Sequence, residues 1–296
     1  MSTSQAITVF TPTYNRAYIL SKCYESLNRQ TCKNFEWLII DDGSTDETSA
    51  LVASWQRQDN GYPIRYIHKE NGGLHTGYNT AIENMDTELS VCIDSDDAMP
   101  EDGIARILNE WRKVKHSGAA GLVGLDMKPS GELIGKPLPE QALFNAASLL
   151  CIPGMGDKKY VVRNDLLRGV APIPVFSGEK NLNPHYLIIQ LSKTALFHPV
   201  NHCFCIVEYQ PDGMTANIYK QYVNSPNSFA VLRRAIMEAP GLTWQYQLKN
   251  IIHYCSSSQL AHDRAYIKNS PRKLLTILCA PAGHALTWYI KRKAGR

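Results

Sequence analysis

The first 125 residues alternate between short apolar runs and stretches whose apolar residues recur at helical spacing. Ile7 to Phe10 forms a β-rich run that stops at Thr11-Pro12, and Ile19, Leu20, Cys23, Tyr24 and Leu27 then repeat with a period near that of a helix. Phe35 to Ile40 predicts a second strand. Ser44-x-x-Glu47 has the form of a capping box ahead of the stripe Thr48, Leu51, Val52 and Trp55. Ile64 to Ile67 is a third strand, Gly77 to Met85 a helix, and Leu89 to Ile93 a fourth strand. Pro100 precedes a further helix marked by Ile104, Ile107, Leu108 and Trp111, and Ala119 to Leu125 is a fifth strand. Strand and helix in strict alternation imply right-handed βαβ units, an α/β class and a mostly parallel sheet flanked by helices.

In such sheets ligands bind outside the carboxyl ends of the strands. Those ends carry the polar residues here. The first strand leads into Thr11 to Arg16, the second into Asp41-Asp42-Gly43-Ser44, the third into His68 to Gly73, and the fourth into Asp94-Ser95-Asp96-Asp97. Three carboxylates crowded at one strand end repel one another unless a positive group neutralises them. A hard cation with oxygen ligands, Mg²⁺ or Mn²⁺, does this and brings phosphates with it. A solvated acidic turn with Asp97 capping a helix is the plainer alternative for the acids alone. The convergence of four strand ends favours a site.

The series Thr11-Pro12-Thr13-Tyr14-Asn15-Arg16, Asp41 to Asp46, Asn71-Gly72-Gly73 with Asn79, and Asp94-Ser95-Asp96-Asp97 resembles the family-2 glycosyltransferases in order and spacing over residues 6 to 125. Weaker similarity continues through Gly178-Glu179-Lys180 and from Glu208 through Asp212 and Thr215 to Asn217. The resemblance implies a GT-A-like fold, a nucleotide-sugar donor (UDP-linked by expectation), a divalent metal and inverting transfer to a saccharide or lipid-linked saccharide of a cell-surface polymer. It places the base on Asp42, with Tyr14 stacking and Thr11 and Pro12 lining the pocket through their backbones. Asp96 is the expected metal ligand, with Asp94 and Ser95 beside the donor and Asp97 either joining them or capping. Asn71, Gly72 and Gly73 are expected to approach the donor closely. Many relatives carry a basic residue where Leu74 stands, so His75 or Lys69 is the expected phosphate contact instead. Where many relatives place a catalytic Asp, this chain has Lys180. Glu179 is therefore the expected general base, with Asp157 in reserve. His185, His198 and His202 are candidates for a third metal ligand. Tight-turn roles for Asp42, Gly72 and Gly73 remain alternatives, as do packing for Tyr14 and helix-terminal pairing with Lys180 for Glu179.

Composition narrows the picture. A net charge of +4 over 296 residues makes no case for nucleic acid, and 44% hydrophobic residues suffice for a sizeable core. The eight cysteines form no CxxC pair and read as small core residues of a reducing, cytoplasmic compartment. Cys203-x-Cys205 falls in an apparent strand and makes a weak metal candidate. No run of ~20 apolar residues predicts a spanning helix. Leu274 to Ile290, broken by Pro281 and Gly283, is apolar and flanked by Lys268, Arg272 and Lys273 before it and Lys291, Arg292, Lys293 and Arg296 after it. That pattern fits a segment lying on the anionic inner face of a membrane, or alternatively a core-packing helical hairpin. The expected organisation is a transferase domain over residues 1–215 and a helical appendage over 216–296. A nucleotidyltransferase and a non-catalytic sugar-nucleotide-binding or scaffold protein are the rival functions.

Overall fold

The computed structural model describes residues 5–210 and 218–295. Among these, seven strands make one sheet in the order β3-β2-β1-β4-β6-β5-β7. The strands are β1 (Ile7–Thr13), β2 (Phe35–Asp41), β3 (Ile64–His68), β4 (Leu89–Cys92), β5 (Gly121–Met127), β6 (Lys158–Arg163) and β7 (His198–Ile206). The helices between them are α1 (Ala17–Asn28), α2 (Thr48–Gln56), α3 (Leu74–Asn84), α4 (Gly103–Val114), α5 (Asn164–Val170) and α6 (His185–Leu191), with a 3₁₀ turn at Ala146–Cys151. The first four strands are parallel, as their alternation with helices predicts. β6 is the departure: it runs antiparallel between β4 and β5. Its residues Lys158 to Arg163 mix charged and apolar side chains, so no apolar run marks it.

β1 and β2 are buried along their whole length, because helices cover both faces of the sheet. One core cluster packs Ile7, Val9, Trp37, Ile39 and Val91 under α1, α2 and α4. The other packs Phe10, Leu38, Ile40, Val123 and Phe197 under α3, α5 and α6. The remaining helices are α7 (Ile218–Asn224), α8 (Pro226–Glu238), α9 (Trp244–Leu260), α10 (Tyr266–Asn269) and α11 (Lys273–Lys293). α8 joins the sheet layers through a small cluster in which Leu232, Ala235 and Ile236 meet Ala147 and Ile189.

α11 corrects one local expectation. Pro281 does not break it. The proline removes the partner of the Ile277 carbonyl, but Ile277 lies on the exposed side of the helix, where solvent can satisfy a freed carbonyl. Gly283 sits where α11 meets α9, and a Cβ there would stand 2.4 Å from the Cβ of Cys255. The glycine is a contact device between two helices.

Candidate functional site

The acidic loop after β4 is held from three sides. Ile93 N–H donates to the Phe10 carbonyl at 3.0 Å, and the Thr11 hydroxyl donates to the Ile93 carbonyl at 2.7 Å. The Asp97 amide closes a turn onto the Asp94 carbonyl at 3.0 Å, and Ala98 exchanges two backbone bonds with Ile206 at the end of β7. The loops after β1 and β2 are stitched in the same way. Asn15 N–H donates to the Ser44 hydroxyl, Thr45 N–H to the Asn15 side chain, and Ala17 N–H to the Asp46 carboxylate. Fixed loops at one sheet edge are what a preorganised site requires.

Each acid has a distinct environment. Asp94 lines a cavity of about 290 Å³ with Asp97, Asp126, Asp157 and Lys159. Asp96 is half-buried, 3.9 Å from an Arg16 nitrogen, and its acidity is weakened first by burial and then by the Asp94 charge. Asp97 is buried, 3.5 Å from the Lys159 ammonium, and accepts from the Cys205 thiol. Burial pushes its pKa up to about 7 although Lys159 pulls it down, with Asp94 and Asp96 adding to the rise. Asp126 is likewise pushed by burial to about 6, and one of its oxygens has no partner. One ammonium is shared among several carboxylates and cannot neutralise them all. Lys159 itself stays protonated because those neighbours outweigh its burial. Sequence reasoning missed Lys159 because β6 carries no strand signature. Its neighbour Lys158 donates to the carbonyls of Ile134, Met155 and Asp157, fixing the turn that presents Asp157.

Asp94 and Asp96 suit a divalent cation: hard oxygen donors, half-buried, at mutual electrostatic cost. Mg²⁺ typically takes only one or two carboxylates and completes its shell with phosphates and water. Among the described residues no three His, Cys, Asp or Glu side chains converge as a closed cage. His198 and His202 bond elsewhere, to the Ala142 carbonyl and to Arg106. The Cys203 thiol contacts the Cys205 carbonyl, so that pair forms no metal site either.

The second strand end behaves differently from its expectation. The Asp42 carboxylate accepts from the amides of Gly72 at 3.0 Å and Gly73 at 2.7 Å and from the Lys69 ammonium at 2.5 Å. Asp42 therefore organises the Asn71-Gly72-Gly73 loop, with Asn71 Nδ2 donating to its backbone carbonyl. Gly73, at φ +92°, abuts the Lys180 carbonyl, which a Cβ would approach to 2.1 Å. Lys180 also donates to the Asn71 side chain at 2.6 Å. Lys69 is occupied by Asp42 and Thr76, so it leaves no free ammonium for a phosphate. Tyr14 is exposed and open to stacking; Pro12 and Ser95 are buried at the same edge.

The Thr11 side chain is buried inside the sheet, where its hydroxyl also accepts from the Trp37 indole and so braces strands. Two expected roles are corrected by the geometry. His75 is completely buried on α3 with both ring nitrogens unpartnered, and burial lowers its pKa, so the neutral ring is no phosphate contact. Glu179 does not face the cavity. Its carboxylate accepts from Asn227 N–H at 2.9 Å, Asn227 Nδ2 at 2.8 Å and Ser228 N–H at 2.8 Å. Those amides are orphan donors at the start of α8, so Glu179 is a long-range helix cap. Asn79 pairs twice with Ile173 and pins the proline loop that leads to Glu179. Expectations at Asp212, Gly213, Thr215 and Asn217 fall outside the described residues.

The carboxylate that does face open space is Asp157. It is exposed, accepts from the Tyr209 hydroxyl at 3.2 Å, and lines both the acidic cavity and a larger adjoining one.

Residues 8–133 match the model described as glycosyl transferase family 2. A 102-residue stretch is 37% identical to glycosyltransferase GlyA of Streptococcus pneumoniae, covering 34% of this chain and 14% of GlyA. Another of 122 residues is 33% identical to GlyG of the same organism, covering 41% of this chain and 39% of GlyG. The chain thus spans well under half the length of these relatives. Among solved structures, Staphylococcus aureus TarS 1-349 in complex with UDP-GlcNAc superposes with a TM-score of 0.61 at 15% identity, over 93% of this chain and 79% of that one. A mannosyltransferase from Pyrobaculum calidifontis in complex with GDP-Man and Mn²⁺ gives 0.56 at 17% identity, over 99% and 84%. At these identities the structures establish the GT-A fold.

Proposed function

We propose, from the match of residues 8–133 to glycosyl transferase family 2 and from the GT-A fold, that the protein transfers a sugar, with inversion, from a nucleoside-diphosphate donor to a saccharide acceptor. The observation that carries this reading is the gathering of four braced strand ends at one sheet edge, where the fourth presents Asp94, which lines a cavity, and Asp96 on the same loop. Tyr14 and the Asn71-Gly72-Gly73 loop, the latter held by Asp42, bound the nucleotide. UDP is the first donor to test. Asp96, with Asp94 beside it, would hold Mg²⁺ or Mn²⁺, whose charge stabilises a departing diphosphate.

Asp157 takes the role first given to Glu179. In the transfer, the acceptor oxygen bonds to the anomeric carbon, the bond from that carbon to the phosphate oxygen breaks, and the hydroxyl proton passes to Asp157. Lys159 keeps charge on the buried acids from accumulating beside the leaving group. A thermal-shift screen of nucleotide sugars with and without Mn²⁺, followed by a nucleoside-diphosphate release assay, tests the reading. A bound ligand raises stability by RT ln(1 + [L]/Kd), so the true donor separates from the rest. No shift with any nucleotide sugar would sink it.

We also propose that α11 lies on an anionic membrane surface, which would put a lipid-linked acceptor within reach for polysaccharide synthesis. No described helix is long and apolar enough to cross a membrane. α11 nevertheless exposes Leu274 (78%), Leu278 (75%) and Trp288 (63%). Arg292 stacks 5.5 Å from the Trp288 ring centre and Lys293 5.8 Å from that of Tyr289. Apolar residues with aromatic anchors and flanking cations suit the interface. Co-sedimentation with phosphatidylserine vesicles at low and high salt tests this.

A further inference from the structure

Beyond Asp157 the acidic cavity continues into a chamber of about 540 Å³ between the sheet and the C-terminal helices. The two spaces share Asp157, Tyr160 and His185 in their walls. The far wall is apolar and aromatic, with Tyr222, Phe229, Leu232 and Tyr246. Set in it is Arg233 of α8. Its guanidinium donates to the neutral Asn250 side chain at 2.9 Å and reaches the Tyr222 hydroxyl only at 3.5 Å. Its Nε is buried with no partner. Among the described residues no carboxylate pairs with it, whereas Lys159 in the adjoining acidic cavity faces Asp97.

A guanidinium in an apolar wall is costly unless an anion reaches it, and its planar fork matches phosphate or carboxylate. Lys249 adds positive field on this side, and the one carboxylate among the described residues that line the chamber, Asp157, lies where it joins the acidic cavity. His253 on α9, with its ring 6.0 Å from that of Tyr222, is pushed down to about 4 by burial and by Arg233 and Lys249. On the opposite wall His185 keeps a buried, unpartnered Nε2 that suits a sugar hydroxyl.

We propose that this chamber is the acceptor subsite and that the acceptor carries an anionic group bound by Arg233, with an apolar portion against Phe229, Leu232 and Tyr246. The proposal rests on the transferase reading for the word acceptor, while the anion site itself does not. A phosphate ester and a sugar carboxylate present the same chemistry to Arg233.

Calorimetry on the full chain separates these cases, with n-octyl phosphate, n-octyl glucoside and glucuronic acid as probes and UDP titrated in parallel. In the wild type, octyl phosphate should bind more tightly than octyl glucoside. Arg233→Gln should weaken octyl phosphate by roughly 10- to 100-fold, the worth of a charge-assisted hydrogen bond, while Arg233→Lys retains part of the affinity. UDP affinity should be the same in all three proteins. Preference for glucuronic acid over octyl phosphate would support the anion site and make the anion a sugar carboxylate. Equal wild-type affinity for octyl phosphate and octyl glucoside would overturn the proposal whatever the variants do. So would unchanged octyl phosphate binding in a folded Arg233→Gln protein. Absence of UDP binding would overturn the donor reading and leave the anion site standing.

Discussion

The sheet edge formed by the loops after β1 to β4 and the region built from β6 and the C-terminal helices treat their polar residues in opposite ways. At the edge, Asp94 and Asp96 stay half-buried and open to a ligand, while Asp42, Asn15 and Asp46 brace the loops around them. In the second region the carboxylate that looked catalytic, Glu179, is buried on the amides of α8, and the exposed one is Asp157. A strand end presents its polar residues because the chain leaves the sheet there. A loop packed between two helices has no such rule, and orphan amides compete for any nearby carboxylate. An acid in a motif-like position is therefore a weak guide to chemistry unless its oxygens are free.

The sharpest break of that contrast is at Asp96. Asp96→Ala should lower turnover by roughly 10³-fold, several kcal/mol of leaving-group stabilisation, and abolish its dependence on Mn²⁺. The initial rate of nucleoside-diphosphate release is the measurement, and a variant that keeps wild-type rate and metal response would remove the edge from the mechanism.

The two acids of the second region can be set against each other. Asp157→Asn should cut kcat by roughly 10²–10⁴ with donor affinity and thermal midpoint near normal. Glu179→Gln should do the reverse, losing about 1–3 kcal/mol of stability by turning one acceptor of the α8 amides into a donor, with kcat of the folded protein little changed. Denaturant titration alongside steady-state kinetics reads both. If the two phenotypes are exchanged, Glu179 is the base and its capping bonds open during turnover.

The exposed side of α11 gives a smaller effect. Leu278→Ser with Trp288→Ser should reduce binding to anionic vesicles by about tenfold or more, the apolar area withdrawn from the interface, without loss of folding because both side chains are exposed. Vesicle binding that survives the double variant would leave the flanking basic residues as the whole attraction.

The smallest effect is a pH dependence from Asp126. Burial raises its carboxyl to about 6 in the folded protein, above the ordinary range of an unfolded chain. The protonated form is thus favoured by folding. Its stabilising contribution is complete below about pH 4 and lost as pH rises through about 6. Asp126→Asn should therefore raise the stability measured at pH 8 relative to that at pH 5 by about 1 kcal/mol. An unchanged difference between the two pH values would mean that Lys159 fully compensates the charge.

By itself the sequence determined the α/β class, the first five strands, and the edge at which the polar loops gather. Apolar periodicity is local, and strand polarity follows from right-handed crossovers. It also raised the expectation, still to be tested, that Asp96 is a metal ligand with Asp94 beside the donor. Only the tertiary structure decided the place of β6, whose adjacent charges Lys158 and Lys159 hide a strand in the middle of the sheet. It alone brought Lys159 to Asp97 across 62 residues of chain, committed Asp42 to the glycine loop, and turned Glu179 from a candidate base into the cap of a helix that begins nearly fifty residues later. Those are contacts between distant segments. Which oxygen meets which amide depends on packing that no local pattern encodes.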